Sequence, residues 1–289
     1  MNFQESRCDN MNVKPFEISM KNQVIDLIIK IDKGVESKYL ENIFNHNFSS
    51  DPKGYVLFNK VDEIVGFIGT IFASRNGMKT CNITSYIVME KYRIYSLKLV
   101  KEVLNNEGVT FTTFTAIEPV SNLFSKMKFI PLTMSKTIFL LPNLKYNNQI
   151  NHISSIEEMI ELVNDNDKTI ILDHKNYNIN IDLFVNKSTN DYCLIISNKF
   201  NLKNINTLSF YYVSNNQFFS NYNKQISPKL SKKYKCILGI IPDNFKSAQS
   251  VRKIKTMTFE HSMLMYKSDN LETDDIDMLY SEMILLQIA

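Results

Sequence analysis

Apolar positions along this chain recur with two periods, every second residue or every three to four, and the switches between them mark out two similar halves. From Val13 to about Leu141 the order is strand, two helices, three strands, helix, strand, helix, strand. "VKPFEIS" reads as a short strand, and "MKNQVIDLIIKID" puts Val24, Ile25, Ile28 and Ile29 on one helical side, with "SKYLENIFNHNF" helical after it. "GYVLFN" and "IVGFIGTIFA" flank a short charged turn, Lys60 to Glu63, and predict a hairpin. "RNGM" turns the chain again, with Gly77 free to take positive φ, and "KTCNITSYIV" is the next strand. Leu97, Val100 and Leu104 form a helical stripe flanked by Leu99 and Val103. "VTFTTFT", Val109 to Thr115, is β-branched and aromatic and predicts a strand. After Pro119, suited to a first helical position, Val120, Leu123, Phe124 and Met127 fall at i, i+3, i+4 and i+7. "SKTIFLL" closes the half as a strand.

The polar segment "PNLKYNNQIN", Pro142 to Asn151, reads as a linker, which sets a first domain at 1–141 and a second at 152–289. In the second half Ser154 or Ser155 caps "IEEMIELVND", each with a Glu three residues on. "KTIIL", "INIDLFV", "DYCLIIS" and "TLSFYYV" predict strands, Phe218, Tyr222, Ile226 and Leu230 a helix, and "KCILGII" another strand. "TDDIDMLYSEMILL" predicts a closing helix with Ile276, Leu279, Tyr280 and Met283 on one face and Asp274 and Asp275 in its first turn. Both halves follow one α+β plan, as a diverged duplication would, although no clear identity links them.

Composition narrows the function classes. At 289 residues two domains are the default. A chain 44% hydrophobic and 22% charged is globular rather than disordered. A net charge of +3 and a pI near 8.4 fall short of a dedicated nucleic-acid binder. The lysines from Lys224 to Lys235 read as a solvated helix face. Cys8, Cys81, Cys193 and Cys236 are far apart, residues 1–20 hold no signal-type apolar core, and no run has the length of a membrane span. Reduced thiols and a cytoplasmic location are the expectation. His46, His152, His174 and His261 are isolated from other ligand types, so no metal site is expected.

The stretch with the most chemical content is "SYIVMEKYRIYSLKLVKEVL", Ser85 to Leu104: a strand ending at Val88, a charged turn, and a helix starting near Arg93. Such a junction can hold a phosphate on unpaired N–H groups. With "VGFIGT" before it and "TAIEPVSNLFSKMKFIPL" after it, this stretch resembles the GCN5-related N-acetyltransferase (GNAT) superfamily over roughly Val13 to Leu141. "DYCLIIS" and the closing "DDIDMLYSEMILL" resemble the second domain of two-domain bacterial GNAT-like acyltransferases. The resemblance implies a mixed, mostly antiparallel sheet flanked by helices, repeated in a second α/β half. Arg93 sits at the family's phosphate-loop Arg, but the loop glycines fall on Ser96 and Lys98, and Glu90 stands where Pro is common. The family's thiolate-protonating Tyr falls on Phe124, and a Gly on Lys128.

By that resemblance acetyl-CoA or another acyl-CoA is co-substrate, with no metal. Its pantetheine arm would lie between splayed strands ending at Val88 and Thr115, the N–H near Val88 polarising the thioester carbonyl. Backbone N–H groups of Ile94, Tyr95, Ser96 and Leu97 can take the pyrophosphate, with Arg93 adding charge. Tyr86 is the candidate base and Glu118 a second. Ser121 is the candidate thiolate partner, and Asn122 and Phe124 border the cofactor. Each has a plain alternative: core packing for Tyr86 and Phe124, helix-end stabilisation for Glu118, turn support for Ser121 and Asn122. The implied reaction is acyl transfer to an amino or hydroxyl group of a small acceptor, such as an amino sugar or envelope-polysaccharide precursor. Two other readings stay open, a non-catalytic GNAT-like binding protein and a Fem-type peptidyl transferase using aminoacyl-tRNA. Modest charge and no coiled-coil insertion count against the last.

Overall fold

The described residues form two seven-stranded sheets, each taking its sixth strand from the other half of the chain. The computed structural model describes residues 11–32, 37–75, 77–132, 134–142, 149–243, 245–259 and 264–286. β1 (Asn12–Pro15) leads to α1 (Lys21–Ile31) and α2 (Ser37–Asn45). β2 (Gly54–Phe58), β3 (Ile64–Arg75) and β4 (Met78–Val88) form an antiparallel meander. A 3-10 helix, Glu90–Tyr95, runs into α3 (Ser96–Leu104). β5 (Val109–Thr113), α4 (Glu118–Lys126), β6 (Ile130–Pro131) and β7 (Met134–Leu140) follow. The second half has β8 (Ile150–Ile153), α5 (Ile156–Leu162), α6 (Asp165–His174), β9 (Asn180–Asn186), β10 (Tyr192–Leu202) and β11 (Ile205–Val213). Then come α7 (Asn216–Tyr234), β12 (Leu238–Pro242), β13 (Lys253–Phe259), β14 (Met265–Lys267) and α8 (Glu282–Leu285).

The sheet orders are β1-β2-β3-β4-β5-β14-β6 and β8-β9-β10-β11-β12-β7-β13 (second order given from its other edge). Read side by side they are one topology, and the sixth place in each is filled from the other half. β7 pairs with β12 from Leu140↔Leu238 to Lys136↔Pro242, and β14 pairs with β5 at Met265↔Thr113. "SKTIFLL" thus forms the expected strand but joins the second sheet. Of the expected linker, residues 143–148 lie outside the described residues.

The first sheet is apolar on both faces. Leu57, Ile68, Phe72, Ile83 and Phe111 pack against Leu99 and Val100 of α3 and Phe124 of α4. Val56, Phe58 and Phe67 pack against Val24, Ile28, Leu40 and Ile43 of α1 and α2. Burying each such side chain is worth about 1.5–3 kcal/mol.

Three readings need correction. "KTIIL" is helical, inside α6: Asn164 caps it by accepting from Asp167 N–H, and Ile170, Ile171 and His174 are buried at helical spacing. In α3 the buried face is Leu99, Val100 and Val103, while Leu97 is 40% exposed. The expected C-terminal helix is a 3-10 turn at Thr273–Asp275, an irregular strap and the short α8. Met278, Ile284 and Leu285 are buried there along with Ile276, Leu279 and Met283, so a strap enclosed on both sides replaces an amphipathic helix. Among the described residues no helix is long and apolar enough to cross a membrane.

Candidate active site

β4 and β5 run parallel from Lys79↔Val109 to Asn82↔Thr112 and then part. The cause lies in β4. Phe67 pairs with Ile87 and Gly69 with Thr84, so Ile68 alone faces two residues, Ser85 and Tyr86. This is a β-bulge, with Ser85 at φ 49° in the left-handed region, a strained choice for a residue with a Cβ. Gly69 permits the tight contact beside it, because a Cβ there would sit 2.9 Å from Thr84 Cγ2. Beyond the bulge β4 stays bonded to β3, through Val88↔Gly66 and Met89 N–H to Val65 O (2.9 Å), and leaves β5 behind. The splayed strands that the family resemblance implies are therefore present, with β4 ending at Val88 and β5 at Thr113.

Tyr86 lies on the α3/α4 side of this fork, its ring 6.2 Å from that of Phe124. Its hydroxyl is buried beside Ser96 without completing a hydrogen bond, and burial raises the phenol pKa against the opposing effect of Ser96. Val88 joins the same core. The helix expected near Arg93 begins earlier. Tyr92 N–H donates to Met89 O (2.8 Å) and Ser96 N–H to Arg93 O, so the stretch from Ile94 to Leu97 lies within continuous helix. The donors at the helix start are those of Glu90 and Lys91, which have no upstream carbonyl to bond. Arg93 and Ile94 are exposed, and Lys98 reaches back to Met11 O (3.0 Å).

α4 opens beyond the end of β5. Glu118 and Asn122 are exposed, whereas Ser121 is buried with its hydroxyl donated to Glu118 O (3.0 Å). Phe124 is wholly buried, its ring 4.8 Å from that of Phe129. α4 ends in a Schellman arrangement: Phe129 N–H donates to Phe124 O and Lys128 N–H to Ser125 O. Lys128 at φ 67° holds the left-handed position, which explains the glycine usual there. The structure thus brings Tyr86, Val88 and Phe124 together and leaves Arg93, Glu118 and Asn122 on the surface.

The group that sequence reasoning missed is Glu282. Its carboxyl is fully buried at the point where the fork opens. Oε1 accepts from Phe114 N–H (3.2 Å) and Thr115 Oγ1 (3.0 Å), and Glu282 N–H donates to Asn82 Oδ1 (3.1 Å). Asn82 in turn donates to Thr112 Oγ1 (3.1 Å), across the last rung of the β4–β5 ladder. Oε2 is buried with no hydrogen-bond partner. Burial pushes the Glu282 pKa up to about 7, against hydrogen bonds that lower it. Asn82 and Thr112 alternate with Cys81, Ile83 and Phe111 of the α3/α4 face, so Glu282 lies on the opposite face from Tyr86.

The second sheet repeats the fork. β11 and β12 pair from Thr207↔Leu238 to Ser209↔Ile240 and then part. Asp277 and Met278 of the strap, with Lys136 and Tyr211, enclose a space of only about 10 Å³ there, room for a single water. A wider cleft of about 580 Å³ lies at the start of α7, between Asn216, Gln217 and Ser220 and the 246–250 turn. Ser155, Asn164 and Asn215 cap α5, α6 and α7 with their own side chains, whereas Met89 and Ile117, beside the first fork, provide no side-chain cap, and neither does Phe245 before the 246–250 turn. Among the described residues no three His, Cys, Asp or Glu side chains group to hold a metal.

No family model matches the sequence, and no curated protein matches it. Solved structures do match in fold. A GCN5-related N-acetyltransferase of Anabaena variabilis superposes with TM-score 0.58 at 9% identity, over 89% of this chain and 72% of its own. A Pyrococcus horikoshii structure assigned as an acetyltransferase matches with TM-score 0.54 at 12% identity, over 97% and 96%. A GCN5-related glucosamine N-acetyltransferase region of a fungal multi-domain β-N-acetylglucosaminidase gives 0.57 at 10% identity, over 92% and 39%. The forked sheet, the strand order and these matches together establish that the chain has the GNAT fold, in a form with two such halves.

Proposed function

We propose that this protein is an acyltransferase that moves an acetyl or other acyl group from acyl-CoA to an amino or hydroxyl group of a small acceptor. The observation that carries this reading is the first fork with uncapped helix starts at its rim. The N–H groups of Glu90 and Lys91 supply donors for a pyrophosphate, and Arg93 adds positive charge within one turn. The thioester would enter between β4 and β5, where β4 carbonyl and N–H groups beyond the bulge no longer pair with β5. The second half contributes the strap that covers the fork. An amino sugar or a polysaccharide precursor suits the acceptor class, and a cytoplasmic setting suits the co-substrate.

Phe124 supports one alternative. A wholly buried phenylalanine in the place of the thiolate acid fits a non-catalytic GNAT-like binding protein. Release of CoA thiol from acetyl-CoA, followed with a panel of primary amines and amino sugars, separates the two. Acceptor-dependent release supports transfer, and tight binding without release supports the binding module.

A further inference from the structure

We propose that Glu282 is the general base of this transfer, taking the acceptor's proton as it attacks a thioester held in the first fork; this rests on the acyl-transfer reading above. A fully buried carboxyl oxygen with no partner calls for an explanation, since nearly all such groups are satisfied. Oε1 already takes two hydrogen bonds, from Phe114 and Thr115, which hold the group at the fork. Oε2 is the atom left over, and it lies where β4 and β5 separate.

The chain delivers this carboxyl from the far end of the second half. After β14 joins the first sheet, the strap crosses its α1/α2 face. There Leu285 packs with Phe48, Ile71 and Ala73, and Asn42 Nδ2 donates to Leu285 O (2.8 Å). Thioester and base then approach the fork from opposite faces, and the acceptor reaches Oε2 through the fork itself, because α1, α2 and the strap cover the α1/α2 face. In the step, the acceptor nitrogen or oxygen bonds to the carbonyl carbon while Glu282 Oε2 takes its proton. The C–S bond then breaks, the thiolate is protonated by solvent, and Glu282 returns its proton to solvent as product leaves. A carboxyl poised near neutral pH suits this exchange. Titratable groups on the packed elements are Glu41 of α2, paired with Lys21, and His46, which burial holds neutral. Arg75 and Asp277 pair with each other, and Lys79 pairs with Asp51 at the other end of β4.

The test uses the full chain and two variants. In Glu282→Gln the amide oxygen can still accept from Phe114 and Thr115. Its acetyl-CoA affinity by calorimetry should therefore stay within about twofold, while turnover with an amine, or with water as acceptor, falls about 10²-fold or more. The unaltered protein should show kcat rising with pH to a plateau above about 7, and the variant a flat profile. Thr115→Val removes one donor to the carboxylate and should move that rise to higher pH. Equal turnover in Glu282→Gln, or an unmoved midpoint in Thr115→Val, overturns the role of Glu282 and leaves acyl transfer standing. No binding and no hydrolysis of acetyl-CoA by the unaltered protein overturns both.

Discussion

Replacing Glu282 by Gln should stabilise the fold at alkaline pH and leave it nearly unchanged in acid. The folded protein raises the Glu282 carboxyl from 4.5 to about 7, chiefly by burial. Between those values the folded state holds a proton that the unfolded chain has lost. Stability attached to this group is therefore greatest below about 4.5, declines through 7, and is flat above. A rise from 4.5 to about 7 corresponds to about 3.5 kcal/mol at ~1.4 kcal/mol per pH unit. Gln carries no charge at any pH and keeps the acceptor used by Phe114 and Thr115. Melting curves of the two proteins at pH 5 and pH 8 isolate the effect, because every other titrating group cancels in the difference. The variant should lie within about 2 °C of the wild type at pH 5 and melt about 7 °C higher at pH 8, at roughly 2 °C per kcal/mol for a chain of this size. A difference of the same size at both pH values would refute the reasoning, since burial of the ionised carboxylate would then cost nothing.

Lys128→Gly should raise stability by about 1 kcal/mol, because the residue sits at φ 67° and glycine adopts that conformation without a Cβ penalty; Lys128→Ala, checked by the same denaturant titration, should show no such gain. Phe124→Tyr should cost about 1–3 kcal/mol by burying a hydroxyl without a partner, with turnover unchanged; turnover that rises without loss of melting temperature would place Phe124 beside the thioester after all. Asp182 is fully buried and accepts from His152 (2.6 Å), Lys233 (2.7 Å) and Tyr234 (2.8 Å). Asp182→Ala strands these donors and should destabilise by about 3–5 kcal/mol in chemical denaturation.

Much of the first half was legible because its signals are local. The β2–β3 and β3–β4 hairpins are written in apolar, β-branched runs broken by turn residues, and the departures at Phe124 and Lys128 are visible by comparison with a family pattern. The strand exchange was not legible. The apolar run in "SKTIFLL" states that a strand forms, but nothing in it says which sheet supplies the neighbours, and β12 and β13 lie about a hundred residues further on. "KTIIL" misled because its β-branched residues outweighed Asn164, whose cap fixed the helix. The bulge at Ser85 had no marker, since the residue in the left-handed region is not a glycine. Glu282 falls in a segment expected to form an amphipathic helix, and that pattern does not single it out. The available signal was its context: a lone carboxylate followed by "MILL", in a segment apolar enough to be buried on every side.

Hydrogen exchange with and without acetyl-CoA tests most directly whether the first fork, rather than its counterpart in the second half, holds the acyl donor. The comparison is informative because the wider cleft, about 580 Å³, lies at the start of α7 in the second half, while the uncapped starts of the 90–95 helix and α4 flank the fork of the first. The account predicts that acetyl-CoA slows exchange at amides 86–96 and 113–123 and leaves 209–220 unchanged. Protection confined to 209–220 and 245–250, or none anywhere at saturating acetyl-CoA, would contradict it.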